Sequence, residues 1–154
     1  MPDPAVRRAM DLALEQARAC LATVDVPVGA VLLGADGDVL SVGRNERQAS
    51  GDAAAHAEVV ALRAAARRGD GGSWRLTGAT MVVTLEPCVM CTGALAAARV
   101  ARTVFAAWDD QAGACGSVWD LARDPLSLHR LEVVGGVRAE ESVALLREFF
   151  DSRR

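Results

Sequence analysis

Two short motifs in this 154-residue chain carry the side chains best suited to chemistry: His56-Ala57-Glu58, and further along Pro87-Cys88-Val89-Met90-Cys91. An imidazole and two thiolates are donors that zinc prefers, and three protein ligands leave a fourth tetrahedral position free for water. Zinc lowers the pKa of such a water to about 7, which makes hydroxide available near neutral pH. A carboxylate that is not a ligand can then move protons, and Glu58 is placed for that. It takes a proton from the water, delivers it to a ring nitrogen and later protonates a departing amine. The chemistry these residues point to is hydrolytic deamination, which yields a carbonyl and ammonia.

Their spacing constrains the elements that hold them. Cys88 and Cys91 lie three apart at the start of a predicted helix, so both sulfurs leave one side of its positive end, which favours thiolates. His56 and Glu58 are two apart, roughly 200° around a helix axis, and cannot both face a metal lying along the helix side. They converge only if the metal caps the helix. The sequence therefore predicts two helix N-termini, near Ala55 and Cys88, meeting at zinc after adjacent strands. Taken alone, Cys-x-x-Cys also suits a structural zinc half-site or a redox pair. A closed structural site needs a fourth ligand from Cys20, Cys115 or His129. Cys20 falls on the apolar side of the first helix and reads as core, Cys115 reads as a packed thiol, and His129 as a surface or hydrogen-bonded residue. A structural site also has no use for Glu58.

The periodicity of the rest supplies the supports. Val6, Met10, Ala13, Ala17 and Leu21 recur at helical steps, predicting an amphipathic helix over 4–22. Residues 26–34 and 38–45 are β-branched segments joined by Ala-Asp-Gly-Asp, a hairpin signal. A second helix runs from near Ala55 to the Gly-rich loop of residues 69–78. Residues 79–86 read as a buried strand leading into the cysteine helix, for which Pro87 suits the first turn. Then follow a strand over 101–108, a loop over 109–117, a short helix over 118–125 and a last strand over 130–137. A closing helix over 139–154 has acids in its first turn and arginines in its last, matching the helix dipole. The order αββαβαβαβα implies an α/β sandwich, a sheet covered by helices, in one domain over 1–154.

Composition narrows the function classes. With 51% apolar residues and a mean hydropathy of +0.18, but no charge-free apolar run of membrane-spanning length, the chain reads as a globular, non-membrane protein. Charges near the start and the absence of a signal-peptide core predict a cytoplasmic protein. A net charge of -3 argues against a broadly basic nucleic-acid binder while allowing a local basic patch. All 17 basic residues are arginine, which suits phosphate recognition and equally a coding bias.

The two motifs, together with "DVPVGAVLL", Asn45, "AHAEVVALR", "WRL", "VTLEPCVMCTGAL", "VFAAWD", "GACGS" and "HRLEVVGGV", resemble the cytidine deaminase-like superfamily. Within it the chain is similar to the bacterial tRNA-specific adenosine deaminases over nearly its whole length. The resemblance implies a three-layer α/β/α sandwich with a five-stranded mixed sheet, a homodimer, and conversion of wobble adenosine to inosine in a tRNA anticodon stem-loop. It also implies residue roles: one zinc held by His56, Cys88 and Cys91 with a catalytic water, Glu58 as proton shuttle, Asn45 bonding the purine, Val28 walling the base, the Ala57 backbone contacting the ring, and Asp109 near the ribose. By residue type alone, Asn45 reads as a turn residue and Asp109 as a loop-capping or solvated acid.

The chain departs from the family at five positions. Ala53-Ala54 replace a usual Pro-Thr, which predicts a less rigid loop. Trp108 and Gln111 stand where basic residues are common, and Leu128 replaces an asparagine; all three fall in regions the family associates with RNA. The alternative is a small-molecule deaminase of guanine or cytosine type, though histidine as first ligand argues against the free-cytidine branch. A third reading, a zinc-stabilised partner subunit or RNA-binding module, leaves Glu58 without a role.

Overall fold

Helix α1 (Pro4–Ala19) begins where the Asp3 carboxylate accepts the Val6 N–H at 3.0 Å and Pro4 occupies the first turn. Its buried face contains Val6, Met10, Ala13 and Ala17 of the expected stripe; Leu21, its expected last member, falls beyond the helix in a 3-10 turn over Cys20–Thr23 and is exposed. In this computed structural model, which describes residues 2–68 and 73–153, the remaining elements are β1 (Gly29–Leu33), β2 (Val39–Arg44), α2 (Arg47–Ser50), α3 (Ala57–Arg68), β3 (Thr80–Leu85), α4 (Val89–Ala97), β4 (Arg102–Ala107), β5 (Glu132–Val134) and α5 (Ala139–Asp151). The Gly-rich loop predicted over 69–78 lies partly outside the described residues, as does the last residue of the closing helix.

The strands form one sheet in the order β2-β1-β3-β4-β5, with the first two pairings antiparallel and the last two parallel. This is the five-stranded mixed sheet of the deaminase-like sandwich. Alternation along the strands divides the core between its faces. Val31, Leu33, Val82 and Val104 meet Val6, Met10 and Leu14 of α1, with Leu145 of α5 packed beside them. On the other face Ala30, Leu32, Met81, Val83 and Phe105 meet Ala57 and Ala61 of α3 and Leu95 of α4.

Several expectations need correction: α5 ends at Asp151, so the terminal arginines lie beyond its last turn, and Pro87 stands before the Cys88 cap of α4, outside its first turn. Helices α3 and α4 do not follow adjacent strands: α3 comes after β2 and α4 after β3, and β1 lies between them. The hairpin places β2 on one edge of β1, and β3 takes the other. The short helix expected over 118–125 is a 3-10 turn, Leu121–Arg123, because the Leu121 N–H donates out of the segment to the Ala114 carbonyl at 2.9 Å and Pro125 follows. The last strand is only three residues long; Gly136, at φ +82°, turns the chain away.

The topology gathers the site at one edge of the sheet. β1 runs antiparallel to β2 and β3, so the start of β1 and the ends of β2, β3 and β4 all emerge there. Val28, Asn45, Glu86 to Cys88, and Asp109 stand at those four ends. Gly43 sets the height of α3 above β2. A Cβ there would lie 2.4 Å from the Ala57 carbonyl oxygen and 2.7 Å from the Ala61 nitrogen, so the helix rests directly on the strand backbone.

Candidate active site

Both functional helices present their first residues to the same point. The His56 carbonyl accepts the Val60 N–H at 3.0 Å and the Cys88 carbonyl the Thr92 N–H at 2.8 Å, so each residue is the last before its helix, with Glu58 and Cys91 in the first turns. This is the geometry that the two-residue spacing of His56 and Glu58 required. The His56 Nδ1 lies 3.6 Å from Cys88 Sγ and 3.5 Å from Cys91 Sγ. Tetrahedral zinc, with bonds of about 2.3 Å to sulfur and 2.0–2.1 Å to nitrogen, separates such atoms by about 3.5–3.6 Å. The donor set therefore fits zinc in identity and in spacing. Among the described residues it is the one group of three or more whose ligand atoms lie within 4.8 Å of one another.

Glu58 stands beside this cluster without belonging to it, 4% exposed. Burial above all pushes its carboxyl up to about 7, with the Cys88 charge adding. The Cys88 thiol is pushed down to about 3, first by the Cys91 thiol donating to it and also by His56. The same contact, with burial, pushes the Cys91 thiol upward. His56 is raised, chiefly by its bond to Cys88. Metal binding displaces such protons, since zinc takes thiolate and neutral imidazole.

A cavity of about 160 Å³ opens onto these groups, lined by His56, Ala57, Glu58 and Cys88 together with Val28, Asn45 and Asp109. Every residue singled out from the sequence for substrate contact thus borders the space beside the metal ligands. Cys91 lies fully buried beneath them. Asn45 donates from Nδ2 to the Val26 carbonyl at 3.1 Å and accepts the Arg47 N–H at 3.1 Å. Asp109 Oδ1 accepts from Gln111 N–H at 3.0 Å and Ala112 N–H at 3.2 Å, the loop-capping role its type suggested. Cys20 points its thiol at backbone carbonyls, Cys115 packs against Thr92, and the His129 Nε2 meets the Val100 carbonyl at 2.7 Å. None of the three joins the metal cluster.

Three acids escaped sequence reasoning. Asp25, 1% exposed, accepts the Gln48 and Ala49 N–H groups at 2.6 and 3.2 Å and so forms α2, which has no signal of its own. Asp52 accepts the Ala54 N–H at 2.9 Å and pairs with Arg63 at 3.2 Å, tying down the loop where Ala53-Ala54 replace Pro-Thr. Glu86 is buried and accepts three N–H groups from the loop of residues 109–117. The only local hint was an acid between an apolar strand and a proline.

Residues 4–107 match the family described as the cytidine and deoxycytidylate deaminase zinc-binding region. The chain belongs to that family of zinc-dependent deaminases. Zinc is accordingly the metal for His56, Cys88 and Cys91. The chain is 47% identical over 95% of its length to a protein named tRNA(Ile)-lysidine synthase from Deinococcus deserti, and 45% identical over 100% to its namesake from Deinococcus radiodurans. It spans only 27% and 26% of those relatives. With the tRNA-specific adenosine deaminase of Bacillus subtilis it shares 38% identity over 94% of its own length and 88% of that protein; with the Haemophilus influenzae one, 42% over 94% and 83%. Its fold superposes on a structure from work on A-to-I editing by tRNA:A34 deaminases with a TM-score of 0.85, at 37% identity, covering 91% of this chain and 99% of the other. A guanine deaminase from Nitrosomonas europaea gives 0.75 at 28% identity, covering 97% and 85%.

Proposed function

We propose that the deaminase converts adenosine to inosine at the wobble position of a tRNA anticodon, releasing ammonia, with residues 1–154 acting as one catalytic domain. The observation that carries this reading is the convergence of Val28, Asn45, Ala57 and Asp109 on the cavity beside the metal ligands, within a fold that superposes on a tRNA:A34 deaminase. When bound, zinc supplies an acidified water as nucleophile. Glu58, buried and open to that cavity, would take one proton from that water and pass it to the purine N1, then take the second proton from the attacking oxygen and deliver it to the departing amine. Asn45 keeps a second amide hydrogen and an Oδ1 lone pair for the purine beyond its two backbone bonds. Val28 supplies an apolar wall. The Ala57 N–H, at the first turn of α3, has no partner within its helix, and through it Ala57, which borders the cavity, would contact the ring. Asp109 Oδ2 remains for a ribose hydroxyl.

RNA has room to continue beyond the base. A second cavity of about 490 Å³ shares Val26, Asn45 and Arg47 with the first and is edged by Gln48, Phe150 and Arg153. An anticodon loop already exposes its bases, so extruding the target costs little. Trp108 packs edge-on against Phe105 at 4.8 Å yet stays 52% exposed, and Leu128 is 92% exposed; both offer apolar contact where the family has polar side chains. The homodimer belongs to the same proposal. Val89, Met90 and Trp119 are exposed around the start of α4, an apolar patch suited to a second copy. Trp119→Glu should give a monomer by light scattering, and a wild-type monomer at working concentration refutes the dimer. No helix among the described residues is long and apolar enough to cross a membrane. The free thiols of Cys20 and Cys115 suit the reducing cytoplasm.

A second reading, deamination of a free purine, draws on the likeness to guanine deaminase and on a cavity that encloses little more than a base. A substrate panel separates the two. Zinc-loaded protein should form inosine in an anticodon stem-loop bearing wobble adenosine and leave free guanine and cytosine unchanged. Turnover of free guanine without turnover of the stem-loop overturns the proposal.

A further inference from the structure

Glu86 is 2% exposed, lines the cavity wall, and takes no part in metal binding or proton transfer as described above. Its carboxyl group instead gathers a loop. Oε1 accepts the Asp109 N–H at 3.0 Å, and Oε2 accepts those of Cys115 at 2.9 Å and Ser117 at 3.2 Å. Gly113 lies flat against the carboxyl, so close that a Cβ would stand 2.3 Å from Cδ. The loop is stitched to the same turn by the Ala114 N–H, which donates to the Pro87 carbonyl at 2.8 Å, and by an isolated bridge between Gly113 and Cys88. Ser117 Oγ donates to the Asp109 carbonyl at 2.6 Å and closes the loop on itself.

One buried side chain thus joins two parts of the site. The turn it belongs to carries Cys88, a metal ligand. The loop it holds carries Asp109 and Ala112, which wall the cavity. We propose that Glu86 is a positioning residue for substrate recognition, holding the 109–117 loop in fixed register with Cys88 so that the substrate-facing wall and the metal stay matched. The inference rests on the reading of this cavity as the place where the base binds. A carboxyl suits the task because three convergent donors require acceptors only, and a glutamine would turn an N–H₂ group toward one of them.

Two variants test it from opposite sides of the contact. Glu86→Gln removes an acceptor, and Gly113→Ala forces the loop off the carboxyl while leaving the Glu86 side chain itself unchanged, its added methyl meeting Glu86 Cδ and Ser117 Oγ. In each zinc-loaded variant, KM for whichever substrate of the panel wild type turns over should rise about tenfold while kcat falls by less than about threefold, with one zinc retained per chain. Hydrogen exchange should quicken at the amides of Asp109, Cys115 and Ser117 and stay unchanged in α4. Adding Asp109→Ala to Glu86→Gln should raise KM no further than the worse single change, because both act through one loop. Loss of zinc, a fall in kcat at constant KM, additive effects, or unaltered exchange across 109–117 each overturns the proposal. If Glu86→Gln fails to fold, Gly113→Ala decides by the same readouts. If wild type rejects the stem-loop, the tRNA reading fails, and the exchange and KM measurements with its actual substrate still decide the role of Glu86.

Discussion

Replacing Gly43 by alanine tests whether the resting of α3 on β2 sets the active-site geometry. The added methyl would sit 2.4 Å from the Ala57 carbonyl oxygen, about 1 Å short of ordinary contact at 3.4 Å. The atom it meets is backbone in the first turn of α3, so no side-chain rotation relieves the clash and the helix start must retreat. Overpacking of this kind costs about 1–3 kcal/mol. At about 2–4 °C per kcal/mol for a chain this long, Tm should fall by about 2–12 °C. Activity should suffer more than stability, because His56, Ala57 and Glu58 move with the helix start while Cys88 and Cys91 stay with α4. A misplacement near 1 Å can cost on the order of 100-fold in rate. The assays are thermal unfolding, zinc stoichiometry and ammonia release on one preparation. Gly43→Ala with wild-type Tm and turnover would show that the contact with β2 does not position the site.

Other outcomes follow from the same geometry. His56→Ala should abolish stoichiometric zinc binding, measured by metal analysis, whereas His129→Ala should not alter it; zinc loss from the second variant would place His129 in the metal site. Chelation should lower Tm, because zinc at about 1,000 times its Kd adds about 4 kcal/mol to folding, or about 8–16 °C. An unchanged Tm after complete metal removal refutes that coupling. Affinity for the stem-loop should decline with added salt as Arg47 and Arg153 release phosphate counterions; a flat salt response points to a small ligand. Burial works to raise the Asp25 carboxyl, but the Thr23 hydroxyl and the Gln48 and Ala49 N–H groups outweigh it and hold it below 3.8. Its contribution is therefore present above the unfolded value and is lost as pH falls through the folded one. Asp25→Asn should make acid unfolding shallower below about pH 4, and an unchanged acid limb contradicts the assignment.

The parts of this molecule that a reader of the sequence could place were those set by local chemistry. Helix α1 announced itself through its apolar stripe, the hairpin through its turn, and the metal cluster through donor types and spacing. The 200° separation of His56 and Glu58 even required a site at the helix end. What stayed hidden depends on groups far apart in the chain. Helix α2 exists because Asp25 caps it from before β1, and the 109–117 loop is held by Glu86 from the end of β3. The expected adjacency of β2 and β3 failed for a related reason: strand order follows from which edges pair, and periodicity within a strand says nothing of its neighbours. At Ala53-Ala54, where the family's Pro-Thr is missing, Asp52 holds the turn through a bond no periodic pattern announces.

Catalysis as proposed divides the labour: His56, Cys88 and Cys91 hold zinc while Glu58 only moves protons. Glu58→Ala, with zinc content and ammonia release measured on one preparation, tests that division most directly. One zinc per chain should remain while turnover falls by about 100- to 10,000-fold. Stoichiometric loss of zinc, or turnover within a few-fold of wild type, would contradict it.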